Sequence, residues 1–218
     1  MPRVTEIHRK GRNVEVSFDD ETSLRCDRAF QLAQTFAVDQ DIDALILDRV
    51  RDQAALHYAE AASLRWLKAR PRSRAEIGRR LRARGISQPI VDTTLDALEK
   101  HGHLNDRAYA AAFTDDRVRR QSRSASLIQN ELEAQGIDAA VAAEATSEID
   151  DDGGALALAM KRARRHRGDW PTFQRRVGAA LTRRGYSYDI AKKAIRTAWE
   201  TRPDFESTDR DESASNPR

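Results

Sequence analysis

Arginine dominates the residues of this chain that could do chemistry. Arg70, Arg72, Arg74, Arg79, Arg80, Arg82 and Arg84 crowd one short stretch. A second group holds Arg162, Arg165, Arg175, Arg176, Arg183 and Arg184, with Lys161, Arg164 and Arg167 among them. The planar guanidinium fork suits phosphate and carboxylate oxygens. These thirteen arginines are therefore the candidate contacts to a partner carrying phosphates or an acidic protein surface.

Other constellations lead nowhere. His101-Gly102-His103 with Asp106 nearby has the residue types of a metal site. It reads better as a helix C-terminus, where glycine ends the helix and histidine complements the dipole. Asp115-Asp116 and Asp151-Asp152 are adjacent pairs, and neighbours on a helix point about 100° apart, so they cannot face one reacting centre. No G-x-x-x-x-G-K-[ST] loop, G-x-S-x-G elbow or H-E-x-x-H pattern occurs. The single Cys26 excludes an intrachain disulfide and a cysteine-based zinc site. The expectation is a protein without catalytic residues, metal or cofactor.

Composition agrees with a highly solvated molecule: 33% of the 218 residues are charged and mean hydropathy is −0.73. No apolar run approaches the roughly 20 residues of a membrane span. The first residues lack the apolar core of a signal peptide, so the expected location is the cytoplasm, consistent with cysteine usage. Net charge is only +3, but it alternates in blocks. Residues 1–60 carry −4, 61–100 carry +6, 101–150 carry −4, 151–200 carry +7 and 201–218 carry −2. Solvated helix faces account for any single arginine; two whole basic blocks point to a partner.

The elements that position these charges repeat. Leu-x-x-x-Gly occurs at Leu81–Gly85, Leu132–Gly136 and Leu181–Gly185, with the glycines 51 and 49 residues apart. Ile77, Ile128 and Val177 stand eight residues before them, and Ile90, Val141 and Ile190 five after. One structural unit used three times implies a tandem array. Each unit reads as three short helices, A, B and C, with B-turn-C related to a helix-turn-helix. Pro71 must end the first helix A. Ser73-Arg74-Ala75-Glu76 is a capping box for the first helix B, Ser124 caps the second, and Gly168-Asp169-Trp170-Pro171 starts the third. Asp151-Asp152-Gly153-Gly154 is expected to break the chain before a helix running from Ala155 to Arg167. The equivalent core positions are expected at Ile77, Leu81, Ile90, Ile128, Leu132, Val141, Val177, Leu181 and Ile190.

Residues ahead of the repeats differ. Val14, Val16 and Phe18 alternate with polar residues, the period of a half-buried strand. Val4 to His8 and Leu24 to Cys26 complete a small β-meander, with turns at Lys10-Gly11-Arg12 and Asp19-Asp20-Glu21. Asp27 is expected to cap a helix carrying Phe30, Ala33 and Phe36. Asp41 or Asp43 starts another, with Leu45, Ile46 and Val50 on its buried side. The expected organisation is 1–53 strands plus short helices, 54–104, 105–152 and 153–201 three repeats, and 202–218 a disordered acidic tail. The fold class is mainly α.

Charge argues against three DNA-reading helices. Helix C would lie in the major groove, yet the first carries Asp92, Asp96 and Glu99 with only Lys100, and the second Glu144, Glu148 and Asp150. Only the third, with Lys192, Lys193 and Arg196, suits phosphate. Sequence-tolerant contact through helices A and B is the better form. Trp66, Trp170 and Trp199 sit where packing explains them, so base stacking is not needed to account for them.

Ser63-Leu64-Arg65-Trp66-Leu67-Lys68-Ala69-Arg70-Pro71-Arg72-Ser73-Arg74-Ala75-Glu76-Ile77, followed by Leu81 and Gly85, resembles the first repeat of the RecX regulatory family. Its pattern there is L-x-x-L-x-x-R-x-x-S-x-x-E-L leading into Leu-x-x-x-Gly. Gly102-His103-Leu104-Asn105-Asp106-Arg107-Ala108-Tyr109-Ala110 resembles that family's G-x-L-(D/N)-D-x-x-(F/Y)-A joint. One departure is Gln121-Ser122-Arg123-Ser124, where members often place a glycine before helix B. The resemblance implies three-helix repeats in an elongated, curved array. It also implies binding of the RecA protein and of its filament on single-stranded DNA, with modulation that is usually inhibitory: less ATP hydrolysis, strand exchange and SOS co-protease function. A monomer with weak direct DNA contact is expected. The alternative is a helical nucleic-acid-binding protein acting without RecA.

Overall fold

The computed structural model describes residues 1–11, 13–20, 22–27 and 37–202. The expected helix with Phe30, Ala33 and Phe36 and the expected tail beyond 202 lie outside these. Strands β1 (Val4–Lys10), β2 (Asn13–Phe18) and β3 (Ser23–Asp27) form an antiparallel meander in the order β1-β2-β3. Val14 pairs with Cys26 and Val16 with Leu24, so the alternating apolar residues share one face. That face buries Val4, Val14, Val16, Phe18, Leu24 and Cys26 against Leu47, Val50 and Ala54 of the following helix.

That helix, α1 (Ala44–Ala69), is continuous where two were expected. Asp43 caps it by accepting from the Leu45 and Ile46 N–H groups at 2.9 and 3.3 Å. Leu47, Val50 and Ala54 follow the i, i+3, i+7 spacing of one stripe. Leu45 and Ile46 fall off that stripe and are 74% and 56% exposed, contrary to expectation. Only the tertiary contact with the sheet chooses which of the apolar residues near the cap turns inward. The helix stops at the residue before Arg70, whose extended conformation (φ −164°, ψ 156°) is what Pro71 demands of its predecessor.

Eight further helices follow among the described residues. They are α2 (Arg74–Arg82) and α3 (Gln88–Lys100) after α1, then α4 (Asp106–Gln121), α5 (Ala125–Ala134) and α6 (Ala139–Thr146), then α7 (Asp151–Ala163), α8 (Trp170–Thr182) and α9 (Tyr188–Glu200). Ser73 and Ser124 cap helix B as expected, and in the third repeat the cap is Asp169: they accept from Glu76, Leu127 and Thr172 N–H groups at 3.1, 3.3 and 3.3 Å.

The Leu-x-x-x-Gly motif has a direct structural reason. Gly85, Gly136 and Gly185 have φ of 78°, 83° and 85°. The next residue in each case, Ile86, Ile137 or Tyr186, donates its N–H back to Leu81, Leu132 or Leu181 at 3.3, 3.1 and 3.3 Å. This is a Schellman termination, in which the leucine supplies the carbonyl and the glycine the left-handed turn. All three leucines are fully buried. Ile77, Ile128 and Val177 are buried as expected, but Ile90, Val141 and Ile190 are only half-buried. Their neighbours Val91, Ala142 and Ala191 take the interior instead. The stripe of α3 runs Val91, Thr94, Leu95, Leu98, which leaves Ile90 at its edge.

The third unit begins earlier than the glycines suggest. Asp150 accepts from Gly153 N–H at 2.9 Å, so Asp151 to Gly154 form the first turn of α7 rather than a break. Carboxylates there complement the helix dipole, and a Cβ on Gly154 would stand 2.8 Å from the Tyr186 hydroxyl. The same acidic first turn makes a repeated joint. Asp106 accepts from Arg74 N–H at 2.8 Å and Asp151 from Ala125 N–H at 2.9 Å, so the first residue of one helix A caps the preceding helix B. Ser122, in the turn where the resemblance expects glycine, takes φ 49°.

By compactness the chain forms two units, Met1–Asp106 and Arg107–Arg218.

Candidate partner-binding surface

In the first unit most of the candidate arginines are occupied internally. Glu76 Oε1 accepts from Arg70 at 2.8 Å, from Arg80 at 3.1 Å and from Arg72. Arg72 is buried and also donates to the Trp66 carbonyl at 3.1 Å. Burial pushes the Glu76 carboxyl up, and Arg72 and Arg70 outweigh it, holding the group below the usual carboxylate range. The Arg80 and Arg84 guanidiniums lie 5.5 and 4.5 Å from the Trp66 ring centroid, a cation–π arrangement that also explains why Trp66 is held here. Arg74 reaches across to Asp96 at 2.7 Å and Glu99 at 2.8 Å on α3. Arg82 bonds Gln88 at 3.2 Å, a neutral partner. Arg79 is exposed and has no ion pair among the described residues. In this block three arginines gather on one glutamate and a fourth pairs with α3, so the guanidiniums are held in place by internal partners more than by charge balance.

The third repeat reverses that arrangement. A cavity of about 390 Å³ opens between α7 and α8. Its rim carries Lys161, Arg162, Arg165, Arg176 and Arg184, its floor Leu158, Phe173 and Val177, and His166 completes the lining. No carboxylate is among these residues. Arg184 is held by the Gln121 and Ala180 carbonyls at 2.9 and 3.2 Å. Among the described residues Lys161, Arg162, Arg165 and Arg176 make no ion pair with a carboxylate, and all four are exposed. The sequence already contains the reason. Glu76 and Arg176 each stand nine residues before their turn glycine, so the position that gathers guanidiniums in repeat one carries a cation in repeat three. Aligning the units on their glycines would have revealed it.

Arg175 lies on the other side of α8, in a groove of about 870 Å³ between α8 and α9. Trp170, Trp199 and Tyr188 line it, with Lys192 and Arg196. The indoles meet edge-on, centroids 5.3 Å apart. Tyr188 is 75% exposed, with Lys192 Nζ 5.9 Å from its centroid. Trp170 and Trp199 are half-buried against the core of repeat three as Trp66 is against that of repeat one, so packing accounts for all three, and the two indoles, far apart in sequence, meet across two helices. Arg183 is exposed.

Repeat two is closed by its own pairs: Glu131 bonds Arg117 at 3.0 Å and also Arg123. His101 Nδ1 lies 2.7 Å from the Ala97 carbonyl at the end of α3, and Gly102 follows at φ 71°. Among the described residues no group of three or more His, Cys, Asp or Glu side chains is placed to hold a metal ion. No described helix is long and apolar enough to cross a membrane.

The molecule is thus of the class built from tandem three-helix repeats, each with a Schellman turn between its second and third helices, and with its charge distributed unequally between them. Comparison with known proteins is consistent in every repeat. Residues 59–98 match the RecX first three-helix domain, 105–145 the second and 150–195 the third. The regulatory protein RecX of Corynebacterium efficiens is 34% identical over 142 residues, covering 59% of this chain and 68% of that protein. That of Mycobacterium ulcerans is 34% identical over 142 residues, covering 63% and 82%. A crystal structure of regulatory protein RecX has the same fold, with TM-score 0.62, 17% identity, and coverage of 90% of this chain and all of the other. The chain belongs to the RecX family, a family of regulatory proteins.

Proposed function

We propose that this protein binds the RecA recombinase, above all its filament on single-stranded DNA, and lowers its ATP hydrolysis, strand exchange and co-protease activity. Family membership supports the choice of partner. The observation that supports the contact surface is the set of exposed arginines of repeat three without a carboxylate partner among the described residues, Arg162, Arg165 and Arg176 at the α7–α8 cavity, Arg175 on the other side of α8, and Arg183, against the arginines gathered on Glu76 in repeat one. In the first unit Arg79 and Arg82 are separate candidates. Arg80 and Arg184 serve the protein's own packing, so their reversal would confuse a loss of fold with a loss of contact.

The test is ATP hydrolysis by RecA on single-stranded DNA with wild type and with the quadruple variant Arg162→Glu, Arg165→Glu, Arg176→Glu, Arg183→Glu. The folded variant should lose inhibition and filament affinity. Undiminished inhibition would remove these residues from the contact. The Trp170, Tyr188 and Trp199 groove favours a second reading, direct binding of nucleic acid without RecA. Affinities for the filament, naked strand and duplex at two salt concentrations separate them. A regulator of RecA prefers the filament, whereas the second reading requires tight, steeply salt-dependent binding to naked strands.

A further inference from the structure

The cavity between α7 and α8 places four guanidiniums and one ammonium around one opening, with no carboxylate in the lining. Like charges held together without counter-charge destabilise the fold that holds them. Several surface arginines elsewhere do have a counter-charge: Arg119 pairs with Asp115, Arg120 with Asp116 at 2.9 Å and Arg196 with Glu200 at 3.1 Å. In repeat one the equivalent of Arg176 is Glu76, the glutamate that supplies a counter-charge to three neighbouring arginines. The arrangement in repeat three therefore lacks an anion, and the groove has room for one. Its volume of about 390 Å³ lies within the roughly 300–1,000 Å³ of small-ligand sites.

Three features select the kind of anion. A single carboxylate would leave most of five positive charges uncompensated, whereas linked phosphoryl groups bring several negative charges and many acceptor oxygens. Arginine outnumbers lysine, which suits tetrahedral oxyanions approached by planar forks. Leu158, Phe173 and Val177 close the floor, and Phe173 is 1% exposed, so water screens the charges from one side only. Arg184 is already fixed by two carbonyls and needs little ordering when a ligand arrives.

We propose that the cavity between α7 and α8 is a binding site for phosphoryl groups. Lys161, Arg162, Arg165 and Arg176 contact the oxygens, and Arg184 is the pre-positioned cation behind them. The site works in the protein alone and does not depend on RecA being the partner. Two sources can supply the ligand: the phosphodiesters of a single strand, or a free polyphosphate.

The experiment uses the full chain without RecA. Inorganic pyrophosphate is titrated calorimetrically, and a fifteen-residue oligothymidylate by fluorescence anisotropy, each at low and moderate salt. The variants are Arg162→Gln with Arg165→Gln, Arg176→Gln alone, and Arg164→Gln as a control of equal charge on the same segment but outside the lining. Pyrophosphate affinity should fall about tenfold or more in the double variant and several-fold in Arg176→Gln, and less than about twofold in the control. Parallel loss of oligothymidylate binding assigns the site to strand phosphates; loss confined to pyrophosphate assigns it to free polyphosphate, and either supports the proposal. It is overturned if wild type shows no saturable pyrophosphate binding, or if the control loses as much as Arg176→Gln, which removes the same single charge, since net charge alone would then explain the affinity. Because neither cavity variant breaks an ion pair, both should retain the wild-type circular dichroism.

Discussion

Gly85 and Gly185 occupy the same motif with nearly the same φ, 78° and 85°, but their surroundings differ. A Cβ on Gly85 would meet nothing within 4 Å. A Cβ on Gly185 would lie 2.5 Å from both Leu127 Cβ and Ser124 Oγ. Those atoms cannot yield easily, since Ser124 is the fully buried cap of α5 and its N–H donates to the Arg184 carbonyl at 2.9 Å. Gly85→Ala therefore carries only the left-handed backbone term, about 1–2 kcal/mol. Gly185→Ala carries that plus the overlap, about 1–3 kcal/mol for forced repacking, for a total near 2–5 kcal/mol. Equilibrium urea denaturation reads both, provided the slopes stay equal. Gly185→Ala should also weaken pyrophosphate binding, because the strained joint is the one that fixes Arg184. Destabilisation of the two variants by amounts within about 0.5 kcal/mol of each other would refute the close approach of the third turn to α5.

Other expectations follow from the same contacts. Glu76→Gln leaves the buried Arg72 without its counter-charge and should cost about 3 kcal/mol, whereas Arg176→Gln at the matching position should leave the urea midpoint unchanged or raise it at low salt. The Glu76 carboxyl titrates lower in the folded chain than in the unfolded one, so its contribution is complete above the ordinary carboxylate range and is lost as pH falls through its depressed value; Glu76→Gln should flatten the acid side of a stability–pH curve. Asp106 is opposite in sign, because burial raises its carboxyl despite the bond from Arg74 N–H, so its contribution falls as pH rises through the raised value. Asp106→Asn, which keeps an acceptor, should stay within about 0.5 kcal/mol of wild type at neutral pH, and a larger loss would show that the carboxylate charge matters to the joint. Leu132→Ala should cost about 2–5 kcal/mol in the same denaturation assay, and Ser122→Gly should stabilise by about 0.5–1 kcal/mol by relieving the left-handed serine.

Local signals carried the fold far. Ser73 and Ser124 cap the helices they were expected to cap, and Asp169 caps the helix that its segment was expected to start, because capping depends on residues only three apart. The Leu-x-x-x-Gly turns are equally local, a carbonyl, a left-handed glycine and the N–H that follows. Misreadings arose where a choice among neighbouring apolar residues had to be made. Leu45 and Ile46 against Leu47, and Ile90 against Val91, differ by one helical step, and only the surface packed against the helix selects between them. Gly153 and Gly154 resembled a break because their composition is that of a loop, while the Asp150 cap and the close Tyr186 hydroxyl make them helical.

The candidate surface divides the same way. Sequence alone determined that arginine would be the chemistry of this chain, in two blocks on a repeated helical frame, because residue type and periodicity are properties of the chain itself. Which arginines have charge to offer was decided by tertiary structure, since neutralisation depends on what lies across a few ångströms of space. One glutamate gathers the first block around Trp66, and an arginine at the matching position leaves the second block open above an apolar floor.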